Sequence, residues 1–121
     1  MVKAVIVEGQ PLFREALTNI FHSRFPSIEL ADAANGEKAM EIMETFLPDL
    51  ILIDIKLPGD NALELIQKIK TCFQRAVVIV LGTYDLPEYR EMAYLHGANY
   101  FITKDSPLID YFTLIESILS T

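Results

Sequence analysis

Only one cysteine, Cys72, occurs in the 121 residues, so neither an internal disulfide nor a thiolate metal cluster can form. That cysteine usage predicts a reducing, cytoplasmic setting. Tryptophan is absent, and cations are scarce: 10 Lys and Arg against 17 Asp and Glu, a formal net charge of −7. A chain so poor in clustered positive charge is not expected to bind nucleic acid directly, because phosphate contacts need Lys and Arg. The longest apolar stretches, 50–53 and 76–81, are far shorter than the roughly 20 residues of a membrane helix, and no secretory signal is visible over 1–10. No membrane partner is expected.

What is present suffices for a core. With 51% hydrophobic residues the chain can bury one without staples, and its length predicts one compact domain over residues 1–121. Short Val- and Ile-rich runs alternate with longer helical patterns, the signature of repeated βα units. Strands are predicted at Lys3 to Val7, Ile28 to Ala33, Leu50 to Ile53, Val77 to Leu81 and Tyr100 to Thr103. The central ones are continuously apolar, as strands covered on both faces should be.

Helix punctuation accompanies them. Pro11 and Pro107 suit first-turn positions, Ser106 reads as an N-cap, and Asp85 with Glu88 resembles a capping box. Pro26 and Pro48 close the first two helices, and His96-Gly97 reads as a last turn ended by a left-handed glycine. Helical spacing places Leu12, Ala16 and Ile20, then Ala62, Ile66 and Ile69, then Leu108, Phe112, Ile115 and Leu119 on buried stripes. Met40, Met43 and Phe46 read as core, and His22 and His96 lack metal-ligand spacing.

In an open parallel α/β sheet the ligand crevice lies beyond the carboxyl ends of the strands. The residues there are Glu8, Gly9, Asp54, Gly82, Thr83 and Lys104. Two carboxylates brought together in such a crevice repel one another unless a metal or an ammonium joins them. Lys104 is placed to supply the ammonium.

Two strand-end acids and one strand-end lysine, in the stretches V-E-G-Q-P-L-F-R-E (7–15), D-L-I-L-I-D-I-K-L-P-G (49–59) and H-G-A-N-Y-F-I-T-K-D (96–105), resemble the receiver domain of two-component response regulators. The resemblance covers the whole chain, and P-L-F-R-E and T-K-D are closest to receivers that precede a helix-turn-helix DNA-binding domain of the LuxR type. It implies a doubly wound, flavodoxin-like fold: a five-stranded parallel sheet of order 2-1-3-4-5 with five helices. It implies Asp54 as the nucleophile that accepts a phosphoryl group from a histidine kinase, with Lys104 offsetting the developing charge. Mg²⁺ would be held by Glu8, Asp54 and the backbone carbonyl of Lys56.

Two positions depart from the family pattern. A second acid normally follows the first, and here Gly9 follows Glu8, which predicts a weakened metal site. Gly82 stands where the family carries a Ser or Thr hydroxyl that follows the phosphoryl group. Thr83 is adjacent, but neighbouring strand residues point to opposite faces. Phe101 occupies the aromatic switch position that the hydroxyl would control. The resemblance also implies partners: a kinase docking near Phe13 and Arg14, an output domain regulating transcription, and a homodimer or partner protein on the side bearing Tyr84, Tyr89, Tyr94 and Tyr100.

Two other classes of function stand beside this one. Gly9 and Gly82 together fit a phosphorylation-independent pseudo-receiver, an interaction module that keeps the fold. An enzyme or nucleotide-binding domain is disfavoured, because no G-x-G-x-x-G follows the first strand and no G-K-S/T occurs.

Overall fold

The computed structural model describes residues 2–57, 59 and 61–120. Five βα units follow one another: β1 (Lys3–Val7), α1 (Pro11–Arg24), β2 (Glu29–Ala33), α2 (Gly36–Phe46), β3 (Leu50–Asp54), α3 (Ala62–Cys72), β4 (Val77–Gly82), α4 (Pro87–Leu95), β5 (Tyr100–Thr103) and α5 (Leu108–Leu119). The strands form one parallel sheet in the order β2-β1-β3-β4-β5. Sequence patterning located all five strands. β2 begins one residue later than expected, whereas β3 and β4 each run one residue further, so Asp54 and Gly82 are the last rungs of their ladders, paired with Leu81 and Thr103.

Alternation along buried strands divides the core in two. Val5, Val7, Ile51, Ile53, Val78 and Val80 face α2, α3 and α4, meeting Ala39, Met43, Ile66, Ile69 and Ala93. Ala4, Ile6, Leu50, Leu52, Ile79 and Leu81 face α1 and α5, meeting Leu17, Phe21, Tyr111 and Ile115. Both faces of the three central strands are covered, which is why their sequences show no polar positions until the ends. No helix among the described residues is long and apolar enough to cross a membrane.

Several helix details differ from expectation. On α1 the buried residues are Leu17 and Phe21, whereas Leu12 is 83% exposed, Ala16 is exposed too and Ile20 is half-buried. On α5 Tyr111 and Ile115 are buried, Phe112 and Leu119 half-buried, and Leu108 exposed. The stripe Ala62, Ile66 and Ile69 of α3 is buried as expected, and so is Met43, with Met40 and Phe46 packed against it. Ser106 is not the cap of α5: Pro107 takes that position, and the Ser106 hydroxyl bonds Thr103 Oγ1 at 2.7 Å. Asp85 does not cap α4 either. Leu86 is its N-cap and Pro87 its first residue, while Asp85 binds the Arg90 guanidinium.

Three breaks match the sequence reading: Pro11 opens α1, Gly97 turns with φ +111°, and Pro48 follows the end of α2. The residue that ends α2 is Leu47, held left-handed at φ 52° with its N–H donating to Met43 O. Its side chain is 61% exposed, so it contributes little packing while an L-residue bears the steric penalty of that conformation. Leu47→Gly should therefore stabilise the fold by about 0.5–1 kcal/mol. A higher urea midpoint with an unchanged m-value is the expected readout.

Candidate functional site

Three strand ends meet at one edge of the sheet. β1 leads into Glu8, β3 ends on Asp54, and Lys104 follows β5. Glu8 is fully buried and Asp54 is 3% exposed, the two buried charged side chains among the described residues. Uncompensated, two carboxylates taken out of water this way would each carry a large desolvation penalty. The Lys104 ammonium lies between them, donating to Glu8 Oε1 and, at 3.1 Å, to Asp54 Oδ2. The sequence-derived triad is thus assembled across 96 residues of chain separation.

Neighbours fix each member. Asp54 Oδ1 accepts the Lys56 backbone N–H at 3.0 Å, which folds the segment after β3 back over the carboxylate. Arg14 Nη1 donates to Glu8 O at 2.8 Å while its Nε binds Asp32, so α1 holds the end of β1. The Phe13 ring lies 4.9 Å from the Lys104 ammonium. Tyr111 donates its hydroxyl to Thr103 O at 3.0 Å and Lys104 O at 3.2 Å, clamping the turn that carries the lysine. Burial raises the Tyr111 pKa, so the group remains a donor.

Sequence reasoning missed Tyr111 and the structural role of Arg14. The available signal for Tyr111 was a phenol within the apolar pattern of α5, since a buried tyrosine must find a partner for its hydroxyl.

Burial pushes the Glu8 carboxyl up to about 7; the Lys104 hydrogen bond opposes the shift and Asp54 reinforces it. Glu8 Oε2 is buried with no hydrogen-bond partner. That open oxygen, beside the second carboxylate of Asp54, suits a hard cation: Mg²⁺ is commonly held by one or two carboxylates with several waters retained. Among the described residues no group of three His, Cys, Asp or Glu comes together to hold a metal. The open Oε2 of Glu8 and the Asp54 carboxylate therefore fit a magnesium ion held through few protein ligands.

Gly9 forms the half-buried bend after Glu8, and its place contributes no carboxylate. Gly82 is buried at the end of β4 and Thr83 is exposed beside it. Phe101 is 7% exposed and turned inward against Gly82. The Lys56 ammonium lies 4.9 Å from the Tyr84 ring and 5.6 Å from that of Tyr89. Tyr84, Tyr94 and Tyr100 are exposed, as is Cys72.

Comparison with known proteins places this geometry in context. The family pattern described as "Response regulator receiver domain" matches residues 4–116. The "Transcriptional regulatory protein DegU" of Brevibacillus brevis is 31% identical over 118 residues, 97% of this chain and 48% of that protein. The "Cyclic di-GMP phosphodiesterase" of Thermotoga maritima is 35% identical over 100 residues, 83% of this chain and 26% of that protein. The chain thus spans about half the length of the first and a quarter of the second. A solved signal receiver domain of a DNA-binding response regulator from Colwellia psychrerythraea superposes over 100% of both chains with a TM-score of 0.95 at 19% identity, a likeness of fold.

The buried acid has a consequence for stability. Below about pH 4.5 Glu8 is protonated folded and unfolded alike; between about 4.5 and about 7 the unfolded chain releases the proton while the folded chain keeps it, so stability falls as pH rises. Glu8→Gln should remove that slope, leaving the variant more stable relative to the parent at pH 8 than at pH 5, by on the order of 2 kcal/mol. Urea unfolding at the two pH values checks this, and equal slopes in both proteins would show that Glu8 stays ionised when folded.

Proposed function

Since the chain belongs to the response regulator receiver domain family, we propose that it accepts a phosphoryl group on Asp54 from a phosphohistidine of a sensor kinase in the cytoplasm. The observation that carries this reading is the Lys104 ammonium set between the buried carboxylates of Asp54 and Glu8. An Asp54 oxygen would form the new bond to phosphorus as the phosphorus–nitrogen bond of the donor breaks and imidazole departs with the electron pair. Little proton chemistry is needed, so positioning and charge compensation dominate the rate.

Each neighbour has a part in that step. The Lys56 N–H, already bound to Asp54 Oδ1, holds the carboxylate in one orientation. Lys104, 12% exposed and touching both acids, can follow the negative charge from the carboxylate to the phosphoryl oxygens. Tyr111 keeps the backbone of that lysine in place during the transfer. Mg²⁺ bound by Glu8, Asp54 and the Lys56 carbonyl would supply further neutralisation of the phosphoryl oxygens. With one acid fewer than the family pattern, this chain is expected to hold the ion weakly.

The protein is not a conventional enzyme on this reading. It is a signalling module whose output lies in other segments or partners. A transcriptional output is the one favoured, given the transcriptional regulatory relative, and the acidic receiver itself would not touch DNA. A second reading is favoured by Gly9 and the absence of a three-acid cluster among the described residues: a pseudo-receiver that engages partners without phosphorylation.

Intact-mass measurement after incubation with Mg²⁺ and acetyl phosphate or phosphoramidate separates the two. One added phosphoryl group is expected, and none on Asp54→Asn. Uptake unchanged by that substitution would remove Asp54 from the role, and no uptake by a folded parent chain would leave the pseudo-receiver.

A further inference from the structure

We infer that the missing side chain at Gly82 locks the Phe101 ring in one buried position, so that the packing of β4, β5 and α4 around it does not follow the charge on Asp54. The inference goes beyond the phosphoacceptor reading and stands on the geometry of β4 and β5 alone. Register pairs Val80 with Phe101 and Gly82 with Thr103. Val80 and Gly82 are two residues apart on one strand and share a face, so the ring at 101 leans over position 82 on the side of α4. There it packs with Val78, Val80, Ala93 and Ala98.

The space is fully taken. A Cβ placed on Gly82 would lie 2.3 Å from Phe101 Cζ, 3.0 Å from Cε2 and 3.1 Å from Cε1. Any other residue at 82 would therefore share that volume with the ring, and the ring would have to move. Gly82 meets the ring at its Cζ tip, and the Arg90 guanidinium lies 4.8 Å from the ring centroid, with Arg90 itself tied to Asp85. The hydrogen bond to Asp85 keeps that guanidinium firmly charged. The ring tip thus rests on the glycine, and the guanidinium lies near its centroid.

Swinging Phe101 outward would expose a ring that is 7% accessible, break the cation–π contact and leave a void over Gly82 that no side chain can fill. None of these losses is offset by a group at 82, which has neither a methyl to occupy the space nor a hydroxyl to bind elsewhere. The same absence removes any side-chain link at 82 between the ring and Asp54. In consequence α4, with its exposed Met92, Tyr94 and Leu95, is presented in a single arrangement.

NMR of the chain carrying ring-¹³C phenylalanine tests this, with the Phe101 signals assigned by their loss in Phe101→Leu. In the parent one set of Phe101 ring signals, little broadened by a soluble paramagnetic agent, is expected, and strongly broadened signals in Gly82→Ala and Gly82→Ser. A ring equally buried in all three, or two exchanging signals in the parent, would overturn the lock. Adding Mg²⁺ and beryllofluoride to the parent should leave the Phe101 signal in place, and movement of that signal would also overturn it.

The Lys56 amide, bonded to Asp54, reports separately on whether the anion binds. A silent amide speaks against the phosphoacceptor reading and leaves the lock standing. Should Gly82→Ala not fold, the double variant Gly82→Ala/Phe101→Ala decides: a substitution at 82 that lowers Tm with the ring present and not without it supports the lock, and equal losses refute it.

Discussion

Two carboxylates buried at the mouth of a sheet repel each other, and the structure depends on one ammonium placed between them. Lys104 touches both Glu8 and Asp54, and each of the three comes from the end of a different strand. Only a parallel arrangement delivers all three to the same edge, because every strand must end on the same side of the sheet. The core that hides the central strands on both faces also dries this edge, which strengthens the attraction to the lysine and raises the penalty for leaving either acid alone. Fold and site are therefore one constraint: the ladders β1·β3 and β4·β5 position the charges, and the charges tie their ends.

What surrounds the triad limits its freedom. Tyr111 and Arg14 bind main-chain oxygens of Lys104 and Glu8, and Lys56 donates its N–H to Asp54. Two of these bonds hold the backbone beneath Lys104 and Glu8, and the third orients the Asp54 carboxylate. A cation on a flexible stem can follow charge from one oxygen to another, as phosphoryl transfer requires. Glu8 contributes differently, since its second oxygen is buried without a partner and its proton affinity is raised.

The strands and their polar ends were legible because burial on two faces leaves no room for polar residues until the ladder stops. Glu8, Asp54 and Lys104 could thus be picked out as interruptions of apolar runs. Helix faces were less legible. Leu12, Ala16 and Ile20 form as regular a stripe as Leu17 and Phe21, and only the direction in which α1 leaves β1 decides between them. Caps failed for a local reason: Ser106 and Asp85 had the right chemistry, but Thr103, three residues back, and Arg90, five residues on, took their side chains instead. A capping residue type has several nearby groups it can bond, and the backbone N–H of the next helix is only one of them.

Gly82 shows the limit of reading an absence. In the sequence it is a missing hydroxyl, whereas in the fold it is an occupied volume, because the strand register brings the tip of the Phe101 ring against it. Charge arriving at Asp54 would add up to about two negative units. The cationic residues that touch Asp54 are Lys104 and, through its amide, Lys56, whose ammonium rests on the rings of Tyr84 and Tyr89. Coulomb attraction falls with distance and screening, so the response at this edge belongs first to those two lysines. One leads back to Glu8 and β1, the other to the segment joining β4 to α4. With position 82 carrying no side chain, a response that begins at those two lysines meets no group at the end of β4 that could pass it to the Phe101 ring.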